Sequence, residues 1–140
     1  MKIVISIGGS VLVPDRDAGR AAEYADVIES LADAGHDLGI VAGGGPTARE
    51  YISAARSLGA NEGELDQIGI DTTRLNARLL LSALDSDLAA PSVPANYEDA
   101  ATALHRDRIV VMGGVVQAQT TDAVSAALAE YVDADRLVFA

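Results

Sequence analysis

The sequence predicts an α/β fold, a mostly parallel β-sheet covered by helices on both faces. Two observations carry this. Apolar, β-branched runs of strand length alternate with amphipathic stretches of helix length along the 140 residues, and parallel strands require such crossovers. The clearest runs also end in glycines, at Gly8-Gly9-Ser10, Gly43-Gly44-Gly45 and Gly113-Gly114, where a buried strand turns into the next segment.

Taken in order, Lys2 to Ile7 is the first strand, and a helix follows that Asp17 can cap. Ala21, Ala25, Ile28 and Ala32 share one face of that helix, and Gly35 stands where a left-handed residue ends it. Asp37 to Ala42 is the second strand. Pro46 then takes a first helical position, and the helix runs through Arg49, Tyr51 and Ile52 to Gly59. The spacing of Leu65, Ile68, Thr72, Leu75 and Leu79 predicts a long helix with these residues on its apolar face. Gly69 interrupts it, which suggests close approach of another backbone. A short strand is expected at 91–94, a helix from Tyr97 to Leu104, a strand from Ile109 to Met112, and a helix from Thr121 to about Tyr131 capped by Thr120. Leu137-Val138-Phe139 begins one more strand, and its position against Ala140 reads as a fold cut partway.

Composition narrows the function. With 49% hydrophobic and 22% charged residues the chain fits one domain with a real core, and its glycines and prolines are too scattered to mark a linker. No apolar stretch approaches the roughly 18 residues of a membrane span, and the N-terminal apolar run is too short for a signal peptide, so a cytoplasmic protein is expected. The absence of cysteine excludes a thiol nucleophile and any cysteine metal site. Twenty-one acids against ten bases give a net charge of -11. That repels nucleic acid and anionic membranes alike. Lys2 is the single lysine, and acid excess with few lysines matches proteins that work in concentrated salt, where screening relieves self-repulsion.

The glycine turns carry the chemistry. In parallel α/β sheets they lie at the carboxyl ends of the strands, where ligands bind, and glycine lets backbone N–H groups approach a phosphate at a helix N-terminus. A P-loop is excluded, since no G-x-x-x-x-G-K-[ST] stretch occurs. Gly43-Gly44-Gly45-Pro46-Thr47-Ala48 fits G-x-G-x-x-A, with Glu62 and Glu64 downstream, but it follows the second strand and leaves the other turns unexplained. Arg49 either clamps a phosphate or pairs with Glu50 or Asp neighbours on the surface. Asp66 either accepts from ribose hydroxyls or complements a helix dipole, and Thr120, Thr121 and Asp122 open a helix they can also cap. Arg74 and Arg78, one turn apart, read as a solvated or interface pair, and His36 and His105 as surface residues.

Ile7-Gly8-Gly9-Ser10, Gly43 to Arg49, Ile68-Gly69-Ile70, Thr73-Arg74-Leu75-Asn76-Ala77 and Thr120-Thr121-Asp122-Ala123-Val124 together resemble the amino-acid-kinase superfamily and, within it, the archaeal type of UMP kinase. The resemblance covers residues 1–140 as one domain, the acceptor-binding part of a three-layer αβα sandwich that lacks its C-terminal side. It implies transfer of the γ-phosphoryl of ATP, with Mg²⁺, to UMP. Gly9, Ser10, Gly45 and Arg49 would meet ATP or the transferred group, and Asp122 and Arg49 would be catalytic. Gly44, Asp66, Val115, Val116, Gln117, Ala118, Gln119, Thr120 and Thr121 would hold UMP, with no metal ligand among the protein's own residues and a homo-oligomer, a hexamer in the family. Val115 to Gln119 replaces a Thr-x-Pro-Gly-x stretch of the relatives, and Ser6 replaces a superfamily lysine. Another phosphotransferase of the superfamily, acting on a carboxylate, carbamate or isoprenoid phosphate, and a non-catalytic nucleotide-binding module are the alternatives.

Overall fold

A computed structural model describes residues 1–115 and 119–140. Among these residues the strands β1 (Lys2–Ile7), β2 (Asp37–Ala42), β3 (Ile109–Met112) and β4 (Arg136–Phe139) form one sheet in the order β3-β2-β1-β4. Every pairing in it is parallel, as the alternation of elements requires. The register decides what the carboxyl edge looks like. Ile7 lies opposite Ala42, and Val41 opposite Met112, so three strands end nearly level and release Gly8, Gly43 and Gly113 side by side.

The helices are α1 (Gly9–Leu12), α2 (Ala18–Asp33), α3 (Gly45–Ser57), α4 (Glu62–Ala83), α5 (Tyr97–Arg106) and α6 (Thr121–Tyr131). Right-handed crossovers place them. The connections from β1 to β2 and from β2 to β3 step one way along the sheet and the return to β4 steps the other, so α6 falls on the opposite face from α2 and α4. Accordingly α2 packs on α4, whereas α6 lies against β1, β2 and β4 with α5 beside it. The core between these layers holds Val4, Ile7, Leu38, Ile40, Ile109 and Met112, all essentially inaccessible. Alanines at 21, 25 and 32 let α2 lie close on it around Ile28. Asp17 caps α2 as predicted, accepting the Gly19 N–H at 2.9 Å, and Gly35 follows that helix with φ +98°.

Three expectations are corrected by the packing. The apolar face of α4 is only partly the one predicted: Leu65 and Thr72 are buried as expected, but Leu75 and Leu79 are 61% and 37% exposed, and Asn76, Ala77 and Leu80 complete the buried set. The inward stripe contains polar residues because it must serve the glycine turns as well as the core. No strand forms at 91–94. The backbone meets β3 earlier, where Ala89 bridges to Ile109 and Ala90 N–H donates to the Ile109 carbonyl at 2.8 Å; Pro91 and Pro94 have no N–H with which to extend the ladder. Arg74 is not a solvated partner of Arg78. Its guanidinium donates to the Pro94 and Val93 carbonyls at 2.8 and 2.9 Å, fastening the 91–96 segment to α4, while Arg78 is exposed.

Candidate functional site

The first two glycine turns press backbone on backbone. A Cβ on Gly9 would lie 2.4 Å from the Gly44 carbonyl carbon and the Gly45 nitrogen, and one on Gly45 would lie 2.5 Å from the Gly9 carbonyl carbon and the Ser10 nitrogen. Gly45 also has φ +61°, a left-handed conformation that favours glycine. No side chain fits between these turns. A Cβ on Gly43 would come within 2.8 Å of Thr121 Oγ1, so the start of α6 closes on the same spot from the other face of the sheet.

The long helix α4 holds two of the turns from one side. Asn76, buried on its inner face, donates from Nδ2 to the Gly43 carbonyl at 2.8 Å and the Gly44 carbonyl at 3.2 Å. Three residues earlier, Thr73 Oγ1 accepts the Gly114 N–H and donates to the Ile70 carbonyl, each at 2.6 Å. A Cβ on Gly113 would strike that same hydroxyl at 2.6 Å. Sequence reasoning gave neither residue a role in the site; the available signal was two polar side chains three apart, Thr73 and Asn76, within an amphipathic helix.

Between α3, α4 and the start of α6 lies a cleft of about 240 Å³, lined by Gly44 and Gly45 of the second turn, Asp66, Gly69 and Ile70 of α4, and Thr120 and Thr121. Its walls combine aliphatic side chains, Ile52 and Leu65 among them, with hydroxyls and one carboxylate. At the second turn Gly44 precedes α3 with no side chain capping the helix, which leaves backbone donors and the positive end of the helix open to an anion.

The expected site residues gather around this cleft with some differences. Gly44, Gly45, Asp66, Gln119, Thr120 and Thr121 line it. Gly9 and Ser10 adjoin Gly45 through the backbone contact, and Val115 packs against the core just beyond Gly114. Val116, Gln117 and Ala118 lie outside the described residues. Thr120 caps α6, accepting the Ala123 N–H at 3.0 Å, which leaves its own proton for a further acceptor. Asp122 is exposed and is not among the residues lining the cleft; its Oδ1 accepts from Ser6 Oγ at 3.0 Å, the serine being only 2% exposed near the end of β1. Arg49 is exposed on α3 and makes no ion pair among the described residues. Gln119 is held from outside, its Oε1 accepting from the Tyr97 hydroxyl at 3.4 Å. Tyr97 in turn stacks on Tyr131 with centroids 6.2 Å apart, and burial raises its pKa, so it remains a donor at neutral pH.

Two readings are removed. Glu62 pairs with Arg56 at 2.9 Å, and Glu64 completes a capping box with Asn61 at the start of α4; neither acid serves as the ribose ligand of a dinucleotide fingerprint. Gly69 makes no close approach to another backbone, since a Cβ there would meet only Ile52 Cδ1, at 3.6 Å. His36 is half-buried beside the N-terminal amino group, and His105 is exposed in a separate cavity at the amino edge of the sheet.

The turn contact yields a paired expectation. A Cβ on Gly8 would meet nothing within 4 Å, so Gly8→Ala should lower stability by less than about 1 kcal/mol. Gly9→Ala forces the first two turns apart and should cost at least about 3 kcal/mol. Denaturant unfolding of the two variants measures both; equal costs would mean that the backbone contact is not tight.

The Amino acid kinase family model matches residues 1–140. Uridylate kinase of Haloarcula marismortui is 64% identical over the whole chain, and that of Methanosarcina acetivorans 51%. Among solved structures, uridylate kinase from Archaeoglobus fulgidus superposes on the entire chain with a TM-score of 0.93 at 47% identity, and UMP kinase from Bacillus anthracis on 99% of it with 0.80 at 25%. The chain spans about three-fifths of these proteins, 61% and 59% of the two sequences and 62% and 64% of the two structures. The parallel sheet, the glycine turns at its carboxyl edge and the family match over the full chain agree: this protein belongs to the amino acid kinase family.

Proposed function

We propose that this chain is the acceptor-binding part of an ATP-dependent UMP kinase. One observation carries the reading: elements far apart in sequence converge on a cleft lined by the glycines of the second turn, the Asp66 carboxylate, the hydroxyls of Thr73, Thr120 and Thr121, and aliphatic side chains. Gly44 receives the acceptor's phosphate through its backbone N–H, and Gly45 meets ATP or the transferred group. Asp66 accepts from the ribose hydroxyls, and Thr120, Thr121 and Gln119 face the rest of the nucleotide. The kinship with proteins named uridylate kinase supports UMP over other acceptors.

Phosphoryl transfer asks the protein to position two polyanions and to neutralise charge in the transition state. Gly9 and Ser10 stand against Gly45, so donor and acceptor phosphates meet where the first two turns touch. Arg49, exposed and uncommitted on α3, supplies the cationic fork for the transferring group. Mg²⁺ accompanies the donor in this reading and neutralises charge on its phosphates when bound. Among the described residues no three His, Cys, Asp or Glu side chains converge, and Mg²⁺ needs no such cage, being held by phosphates with one or two carboxylates. Asp122 helps organise the reacting centre, with Ser6 donating to its Oδ1 and fixing its direction.

Calorimetric titration with UMP, CMP, AMP and GMP tests the pocket. UMP should bind more tightly than either purine nucleotide, and AMP binding as tight or tighter would contradict the assignment. In the full gene product that carries these residues, Arg49→Ala should remove roughly 2–4 kcal/mol of transition-state stabilisation, with Arg49→Lys restoring only part because lysine lacks the fork. Unchanged turnover in Arg49→Ala would return Arg49 to the surface.

A further inference from the structure

Gly69 lies deep inside the 22-residue helix α4, where glycine is the poorest residue after proline. The fold does not ask for it. It is not among the glycines with positive φ, which in the described residues are Gly35, Gly45 and Gly59. A Cβ would find only Ile52 Cδ1 at 3.6 Å, an ordinary contact, whereas Gly9, Gly44, Gly45 and Gly113 would each clash within 3 Å. The helix thus tolerates a locally unfavourable residue with no structural return, a mismatch that points to function. Gly69 lines the cleft. On the helix surface it follows Leu65 and precedes Thr73 by one turn each, so the missing side chain leaves a gap in that ridge, bounded by Ile52 of α3 and by Ile70. Asp66 stands three residues away on the same side.

We infer that Gly69 is a size gate for the acceptor's base. The cleft face beside Gly69 is walled by the aliphatic Ile52, Leu65 and Ile70, and in this inference a single planar ring lies there while its ribose reaches Asp66 and its phosphate reaches Gly44. This rests on the proposal that the cleft takes a pyrimidine nucleoside monophosphate, and it adds what selects the ring: the absence of a Cβ at 69. A side chain there occupies the ring's place and leaves the phosphate and ribose contacts intact.

The test uses Gly69→Ala and Gly69→Leu in the full gene product, with unfolding midpoints and calorimetric titration against UMP and ribose 5-phosphate. Both variants should keep or raise the midpoint, since alanine and leucine are better helix formers. UMP affinity should fall several-fold in Gly69→Ala and by about tenfold or more in Gly69→Leu, with ribose 5-phosphate within about twofold of the wild type. A lowered midpoint in both variants overturns the inference, because the glycine then serves the fold. Parallel loss of ribose 5-phosphate binding overturns it too. A wild-type preference for UMP over ribose 5-phosphate that survives Gly69→Leu overturns the gate alone, whereas a wild type without that preference overturns the acceptor reading and the gate with it.

Discussion

The contact on which the site depends is the one between Gly9 and Gly44-Gly45, where two strand-to-helix turns touch with no side chain between them. It follows from register. Parallel pairing sets Ile7 opposite Ala42, the chain must turn at once on both strands, and only glycine allows both turns to occupy the same small volume. The result is a concentration of backbone N–H groups that larger residues would hold apart. In the proposed reaction, that crowding is what would bring the donor and acceptor phosphates within reach of each other.

The helix α4 converts this contact into a pocket. Asn76 holds the second turn by its carbonyls and Thr73 the third by its N–H, so the amide and hydroxyl on one buried stripe fix two loops that are far apart in sequence. The same helix then offers Leu65, Asp66 and Gly69 to the cleft. Core packing alone would place aliphatic side chains at 72 and 76; the structure buries Thr72 and Asn76 there instead. Buried polar groups must be satisfied to be tolerated, and among the described residues no buried side-chain nitrogen or oxygen lacks a partner.

Those features explain what the sequence disclosed and what it concealed. Strands were legible because Ile3-Val4-Ile5 and Ile109-Val110-Val111 are β-branched runs that end in glycine, a pattern with few other uses. The glycine turns were legible for the same reason, and Gly44, Asp66, Thr120 and Thr121, expected at one site, line one cleft. The second half of α4 was not legible: Leu65 and Thr72 face inward as their spacing suggested, but Leu75 and Leu79 look like core residues by periodicity and the structure turns them outward because Asn76 is needed inside to hold the second turn. Arg74 was read as a surface charge since nothing local shows that the Val93 and Pro94 carbonyls lie within its reach. The hold of Tyr97 on Gln119 spans 22 residues and leaves no trace in spacing. Glu62 and Glu64, which matched a dinucleotide pattern, turned out to be fastening the start of α4.

Two cavities stand at opposite edges of the sheet, the cleft at the glycine turns and a second beside Lys2, His105 and Tyr131 at the amino edge. The account assigns the nucleotide to the first. Backbone amide shifts followed by two-dimensional NMR during a UMP titration locate the ligand directly, residue by residue. The predicted result is that the largest shifts fall at Gly44, Gly45, Gly69 and Thr121, with Lys2, His105 and Asp133 unmoved. Shifts centred on the amino-edge cavity, or a saturated complex in which the glycine turns do not respond, would contradict it.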